Sequence, residues 1–324
     1  MELLSVDEWR QRFAHKRRQS LVRMRAFYSS YVGGITKDIE LMTLPLDDHM
    51  VHRGHGVYES GSILKGRPLQ LNVHLTRLFE SASHAGIRLE PRFTKAGISD
   101  IIQETIRVSD CVDNACYRVY ISTGPGSFGI HSDECEEVCI YVIVYESQVS
   151  YAPIPEKTVS CEIVPMKHPK MSSMKAVDYL QNALMADYAK AHGGTFGIWI
   201  DEHNNVKEGS IVSVLIVTDE GRLCTPSKHG ILAGSTVAHI AELISRNKSI
   251  GAGVEYSAIS LNQLYSAREV MLLGADIVVH PVVSIDGQKI GNGQMGAVTR
   301  YVVENLNKSY CYIGSLGVFS FFSR

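Results

Sequence analysis

The sequence predicts an α+β protein built from two domains. Its 324 residues exceed the usual length of one domain. Segments with the apolar spacing of helices and segments typical of strands follow one another without the regular alternation that a parallel sheet requires. A polar stretch with two prolines, Glu146 to Lys157, separates two such mixed regions. Proline-containing polar stretches are typical of connections, so we expect the domain boundary there.

The N-terminal region is predicted to contain strands at 24–33, 117–122 and 138–145 and helices at 74–86 and 93–107. Between the last two strands, Gly124 to Gly129 has the G-x-G-x-x-G spacing of a dinucleotide-binding loop. That loop needs a helix directly after its glycines to hold a pyrophosphate. Only His131 to Val138 separates it from the next strand, so we expect an antiparallel strand connection and no dinucleotide site.

The C-terminal region is predicted to contain a strand near 158–165, a helix at 177–192, strand-like runs at 195–201 and 210–218, a helix at 235–246 and a last helix at 296–307. Turns are expected at His203 to Asn205 and at the Asp286-Gly287 hairpin. The resulting division is an N-terminal arm 1–24, a small domain 25–147, a linker 148–156, a large domain 157–308 and an apolar tail 309–324. The tail is expected to dock or to be disordered.

Composition excludes several classes of protein. The 32 basic and 34 acidic residues leave a net charge of −2, which argues against a nucleic-acid binder. No apolar run approaches the ~20 residues of a membrane helix. The seven cysteines are odd in number and form no C-x-x-C pair, so reduced thiols are expected, with neither a disulfide framework nor a metal site.

The first 25 residues contain seven basic and three acidic side chains. We expect a helical arm on the surface and a cytoplasmic protein. The alternative is a targeting segment for an organelle such as a plastid or mitochondrion, although targeting segments are poor in acidic residues.

Four segments indicate chemistry when they are taken as an ordered set. They are Val51 to Glu59 (VHRGHGVYE), His74 to Leu78 (HLTRL), Met174 to Asn182 (MKAVDYLQN), and Val206 to Ser210 (VKEGS) followed by Ile231 to Thr236 (ILAGST). In this order they resemble the class IV pyridoxal-phosphate enzymes of fold type IV. That group includes D-amino-acid aminotransferases, branched-chain aminotransferases and aminodeoxychorismate lyases. The resemblance covers about residues 25–305 and is strongest to the plant-type D-amino-acid aminotransferase-like branch.

The resemblance implies pyridoxal 5′-phosphate (PLP) as cofactor and assigns its ligands. Lys175 would hold the cofactor covalently and move a proton at the substrate α-carbon. Glu208 would face the pyridine nitrogen and keep it protonated. Arg77 would bind the phosphate together with Ser235 and Thr236 at a helix start. Tyr179 would donate a hydrogen bond to the phenolic oxygen of the cofactor.

Substrate recognition is less well defined by the resemblance. Bacterial D-amino-acid aminotransferases hold the substrate carboxylate with a tyrosine, an arginine and a histidine, and the positions that align with these three carry Val51, Phe128 and Ile130 here. We therefore expect Arg53 and Arg118, placed on predicted strands, to bind the carboxylates of an amino acid and of a 2-oxo acid. A position that is often Asn in the family carries Ser213, so the surroundings of the cofactor are expected to differ in detail from those in the family.

The expected activity is ping-pong transamination from an amino acid, with a D-amino acid such as D-alanine favoured, to a 2-oxo acid such as 2-oxoglutarate. An aminodeoxychorismate lyase making p-aminobenzoate and pyruvate is the alternative, and a branched-chain L-amino-acid aminotransferase is the third possibility. The resemblance also implies a homodimer.

Overall fold

The computed structural model describes residues 2–147, 152–247, 250–274 and 279–313, with side chains of the last helix described as far as residue 306. Contacts divide the chain into two compact units. Unit 1 comprises Met1–Val149 together with Met174–Asp178, and unit 2 comprises Ser150–Ser173 together with Tyr179–Arg324.

Unit 1 contains four α-helices and six strands in its described part. In chain order they are α1 Val6–Arg18, β1 Met24–Ser29, β2 Gly34–Thr36, α2 His49–Arg53, β3 Gly56–Leu64, β4 Arg67–Pro68, α3 Leu71–His84, α4 Lys95–Ser109, β5 Ala115–Ser122 and β6 Cys139–Glu146. The helix α1 begins with a capping box between Ser5 and Glu8, which satisfies first-turn N–H groups and fixes where the arm becomes helical.

The six strands of unit 1 form one antiparallel sheet in the order β2-β1-β6-β5-β3-β4. The strands β5 and β6 are neighbours, so the connection through Gly124 to Gly129 is an antiparallel one, as predicted. The predicted strand 24–33 is shorter than expected because the chain turns after Ser29 and returns as β2.

Alternation along β3 and β5 gives the unit 1 sheet two different faces. One face packs against α3 and α4 through apolar side chains such as Leu78, Ile102 and Val119. The opposite face carries Tyr58, Arg118 and other polar side chains. A single strand can therefore present one residue to a core and the next to a site.

Unit 2 contains, in chain order, β7 Ile154–Glu156, β8 Thr158–Ser160, α5 Pro169–Ser172, α6 Leu180–Ala191, β9 Ile198–Ile200, β10 Val206–Gly209, β11 Ser213–Val217, β12 Leu223–Pro226, α7 Ser235–Ser245, β13 Val254–Ser257, α8 Leu261–Ser266, β14 Glu269–Leu273, β15 Val279–Ile285, β16 Gln288–Lys289 and α9 Ala297–Ile313. Seven of these strands form one sheet in the order β13-β12-β11-β14-β15-β16 with β7 beside β15. The remaining three pair as β10-β9-β8. Asp286 and Gly287 make the predicted hairpin turn with positive φ at both positions.

The linker prediction for 148–156 is wrong at its C-terminal end. Residues 154–156 form β7, which pairs with β15 in a parallel register. Glu156 is buried, and its carboxylate accepts backbone N–H groups of Thr195, Phe196 and Gly197. These bonds fix the segment within unit 2. Residues 148–151 of the predicted linker lie outside the described residues.

Two further boundaries differ from the prediction. Residues 174–178, expected in the large domain, belong to unit 1 because Ala176 forms a β-bridge with Val57. The last helix continues to Ile313, into the region expected to be a tail. The rest of that tail, residues 314–324, lies outside the described residues.

Candidate active site

Lys175 is buried in unit 1, with only 6% of its surface exposed. Its segment runs beside β3: the Tyr58 N–H donates to the Lys175 carbonyl at 2.9 Å, and the Val177 N–H donates to the Gly56 carbonyl at 3.0 Å. The Lys175 N–H in turn donates to Ser81 Oγ at 3.2 Å. Backbone bonds on both sides of the residue therefore fix where the side chain leaves the chain.

The ring of Tyr58 lies close to two cations. Lys175 Nζ is 4.7 Å from its centroid and Arg118 Cζ is 5.2 Å from it. Arg118 also contacts Tyr145 and Tyr120, and its Nε is buried with no hydrogen-bond partner among the described residues. No carboxylate of the described chain forms an ion pair with Arg118. This predicted substrate-binding residue thus lies near the predicted catalytic lysine as a partly buried cation without an acidic partner.

Arg77 lies on α3 and forms a two-pronged ion pair with Glu59 of β3. Its Nε donates to Glu59 Oε1 at 2.5 Å, and its Nη2 donates to Oε2 at 2.9 Å. His74 Nδ1, one turn earlier on α3, is 3.0 Å from the same Oε2. Burial would raise the pKa of Glu59, but Arg77 and His74 outweigh it and lower that pKa from 4.5 to about 2. Glu59 is therefore ionised at any ordinary pH.

Arg53 does not lie on a strand, which corrects the expectation from sequence. It is the last residue of the five-residue helix α2, which ends where Gly54 adopts φ +70°. Its guanidinium donates to three backbone carbonyls, those of His52, Phe128 and Gly129, at 3.1, 2.7 and 3.1 Å. Arg53 thus binds the main chain of the loop between β5 and β6.

In unit 2, Glu208 lies near the end of β10, directly before a tight turn. Its Oε2 accepts the backbone N–H of Leu232 at 3.0 Å. The following Gly209 is required by close packing, since a Cβ there would lie 2.5 Å from Val212 Cγ2. The carboxylate is therefore held in place by the chain that leads into α7.

The start of α7 presents backbone N–H groups. Its N-cap is Gly234, which has no side chain to accept them. The Thr236 hydroxyl donates to the Gly274 carbonyl at 2.7 Å, so the group of Thr236 that can bind an anion is its backbone N–H. Ser235 is half-buried at the first position of the helix. Ser213, at the position that is often Asn in the family, packs under Gly234: a Cβ on that glycine would lie 2.5 Å from Ser213 Oγ.

Tyr179 is the N-cap residue of α6, and Lys167 Nζ lies 4.6 Å from its ring centroid. Asn182, one turn further along, is buried and donates from Nδ2 to the Ser210 carbonyl at 2.6 Å. This bond ties α6 to the turn that follows Glu208. In unit 2 the structure therefore brings the Tyr179 helix, Glu208 and the start of α7 into one connected framework.

Comparison with known families decides the identity of the chain. The model of the family "Amino-transferase class IV" matches residues 56–285, which is more than half of the chain. The chain belongs to the class IV aminotransferases. This confirms the resemblance found from the motifs, and with it that the protein is a PLP-dependent transaminase.

Individual relatives agree with the class IV assignment. The chain is 36% identical over 284 residues to the chloroplastic D-amino-acid transaminase of Arabidopsis thaliana, covering 87% of this chain and 75% of that protein. The branched-chain aminotransferase of Thermoproteus uzoniensis with norvaline has a similar fold, with a TM-score of 0.77 at 22% identity over 88% of this chain and 94% of that one. A putative 4-amino-4-deoxychorismate lyase from Legionella pneumophila reaches 0.72 at 20% identity, over 82% and 95% of the two chains. The predicted α+β fold of type IV is confirmed.

Three residues of this class IV aminotransferase were not assigned roles from the sequence: Tyr58, Glu59 and His74. A signal for them was present. Neighbouring residues of a strand point to opposite faces, so Tyr58 and Glu59 had to serve different surroundings. His74 and Arg77 are three residues apart on α3 and therefore share one face of that helix.

The described helices include none that is both long and apolar enough to cross a membrane. The six described cysteines are free thiols.

Proposed function

We propose that this chain transfers an amino group from an amino acid, with D-alanine the favoured donor, to a 2-oxo acid such as 2-oxoglutarate by a ping-pong mechanism. The observation that carries the proposal is the 36% identity to a D-amino-acid transaminase over 87% of this chain. The family assignment supports transamination in general, and this relative favours the D-amino acid.

The residues present fit PLP. A phosphate needs cationic and N–H donors, which Arg77 and the uncapped start of α7 offer. A covalently held aldehyde needs a buried amine, and Lys175 is 6% exposed. A pyridinium nitrogen needs a fixed carboxylate, and Glu208 is fixed by Leu232. We therefore propose Arg77, Lys175, Tyr179, Glu208, Ser235 and Thr236 as the ligands of the cofactor.

Each residue then has a distinct task. PLP, when bound, supplies an electron sink for the negative charge that develops on the substrate α-carbon. Lys175 Nζ would accept the proton from that carbon and deliver it to the C4′ carbon of the cofactor, which requires the amine to be neutral when it accepts the proton. Glu208 keeps a proton on the ring nitrogen. Tyr179 donates its hydroxyl hydrogen to the phenolic oxygen of the cofactor.

Arg118 is proposed to bind a substrate carboxylate directly. Its buried Nε lacks a partner among the described residues, and a planar guanidinium matches a carboxylate with two parallel hydrogen bonds. Tyr58 links it to Lys175, so a carboxylate on Arg118 lies on the same face of the sheet as the catalytic amine. Arg53 is proposed for the second carboxylate, although three of its donors already bind backbone carbonyls.

Replacing Arg118 with alanine is expected to raise the KM for the amino donor about 10- to 100-fold, because a charge-assisted hydrogen bond contributes about 1.5–3 kcal/mol. Arg53→Ala is expected to raise the KM for 2-oxoglutarate by a smaller factor, since Arg53 is exposed and its charge is screened by solvent. Steady-state kinetics at several concentrations of the donor and of 2-oxoglutarate measure both. An unchanged KM in either variant would remove that residue from the substrate site.

A substrate screen tests the activity itself. D-alanine, L-leucine and aminodeoxychorismate are each supplied with and without 2-oxoglutarate, and the 2-oxo acid or p-aminobenzoate is measured. We expect pyruvate from D-alanine only when 2-oxoglutarate is present. Turnover of aminodeoxychorismate without an acceptor would instead favour the lyase, with which the chain shares its fold. Turnover of L-leucine with 2-oxoglutarate, and of neither other substrate, would favour the branched-chain enzyme.

We further propose a homodimer, which is typical of class IV aminotransferases. The name of the Arabidopsis relative places that protein in the chloroplast, so an organelle is the location to test first, ahead of the cytoplasm expected from the sequence.

A further inference from the structure

The buried carboxylate of Glu59 has no task in the chemistry proposed above. It has no exposed surface, it lies on the helix-covered face of the unit 1 sheet, and its neighbour Tyr58 points to the opposite face. Burying an ion pair is costly, and well-packed apolar residues of similar volume often serve stability equally well. The presence of a wholly buried charge therefore needs a reason other than packing.

The contacts of Glu59 fix the orientation of the Arg77 guanidinium. Glu59 Oε1 accepts a hydrogen bond from Arg77 Nε at 2.5 Å, and Glu59 Oε2 accepts one from Arg77 Nη2 at 2.9 Å. Because the guanidinium is planar, fixing one edge fixes the plane and the directions of the three other N–H groups. His74 donates to Oε2 at 3.0 Å and so holds the carboxylate from a second side. The position of the carboxylate is thus determined before any ligand binds.

The exposed fractions of the three side chains indicate from which side an anion can reach Arg77. The side chain of Arg77 keeps 12% exposure, whereas that of Glu59 has 0% and that of His74 has 3%. An anion arriving from solvent can therefore meet the guanidinium on the side away from Glu59, without approaching the carboxylate first. The bidentate contact with Glu59 lies on the buried edge of Arg77 and fixes the plane of the guanidinium from that side.

We propose that Glu59, supported by His74, is a positioning residue that orients Arg77 toward the phosphate of the cofactor. This inference rests on the proposed PLP site. Its specific consequence is that Glu59 contributes to the recognition of the phosphate and not to the recognition of the ring. The role is separable from simple stabilisation, because stabilisation would affect phosphorylated and unphosphorylated ligands alike.

The test compares two ligands that differ only in the phosphate. The full-length chain is freed of cofactor by dialysis, and the Kd values of pyridoxamine 5′-phosphate and pyridoxamine are measured by calorimetry. The wild type is expected to prefer the phosphorylated ligand by about 100-fold or more. In Glu59→Gln that preference is expected to fall at least about tenfold, since the amide no longer holds Arg77 by two charged hydrogen bonds.

Control variants separate positioning from folding. Ile63 lies on the same face of β3 and in the same core, so Ile63→Val should lower the Tm and leave the preference unchanged. Glu59→Asp serves as the test variant should Glu59→Gln fail to fold. It keeps the negative charge but moves it away from Arg77, so the preference for the phosphorylated ligand should fall by a smaller factor than in Glu59→Gln. In an Arg77→Ala background, Glu59→Gln should cause no further loss.

A folded Glu59→Gln or Glu59→Asp variant with the wild-type preference would overturn the inference and leave the proposed function intact. A wild-type protein that binds both ligands equally would overturn the phosphate site itself, and the inference with it.

Discussion

Lys175→Ala is expected to abolish transamination and the absorption band near about 410 nm that marks a lysine-bound cofactor. The wild-type band should be bleached by borohydride. The activity should fall about 1,000-fold or more, because the variant loses both the covalent link and the group that moves the α-proton. Absorption spectra and initial rates of the purified proteins measure both effects.

Lys170→Ala is the matched control for this variant. Lys170 is an exposed lysine on α5, five residues earlier in the chain, and its removal should leave the band and the rate unchanged. Persistence of the band in Lys175→Ala would show that another lysine holds the cofactor. Loss of the band in Lys170→Ala would equally contradict the assignment.

Glu208→Gln is expected to lower kcat about 100-fold or more while the protein still binds PLP. Glutamine keeps an oxygen that can accept the Leu232 N–H, so the turn should survive, but the negative charge that favours a protonated ring nitrogen is lost. Steady-state kinetics give kcat, and spectrophotometric release of the cofactor in alkali gives the amount bound.

The control is Glu202→Gln, a change of the same chemistry in the exposed turn between β9 and β10, where 71% of the glutamate side chain is accessible. It should leave kcat unchanged. A Glu208→Gln variant with wild-type kcat and full cofactor content would exclude Glu208 as the partner of the ring nitrogen.

Much of unit 2 could be predicted because its candidate residues belong to local motifs. The Glu208-Gly209-Ser210 turn and the helix start after Gly234 are each contained in a few residues, and their conformations follow from glycine and helix-start signals. What the sequence did not show is the strand character of residues 206–209, because β10 is only four residues long and pairs through a bulge.

Unit 1 was harder to predict because its contacts join distant parts of the chain. The segment around Lys175 belongs to unit 1 through a bridge from Ala176 to Val57, and no periodicity within either segment indicates that pairing. The sequence does not indicate the helix that ends at Arg53, because a five-residue helix is too short to show a helical period. The pairing of Glu59 with Arg77 likewise depends on how β3 meets α3.

The bonds made by Arg53 bear on how this enzyme could be altered. Its guanidinium binds carbonyl oxygens of the backbone at Phe128 and Gly129, and every amino acid at position 128 supplies the same carbonyl oxygen. Phe128 and Ile130 themselves are about two-thirds exposed. The loop can therefore keep its conformation while its side chains are randomised. Residues 128 and 130 are accordingly the first positions at which a mutant library could change the range of substrates without disturbing the scaffold.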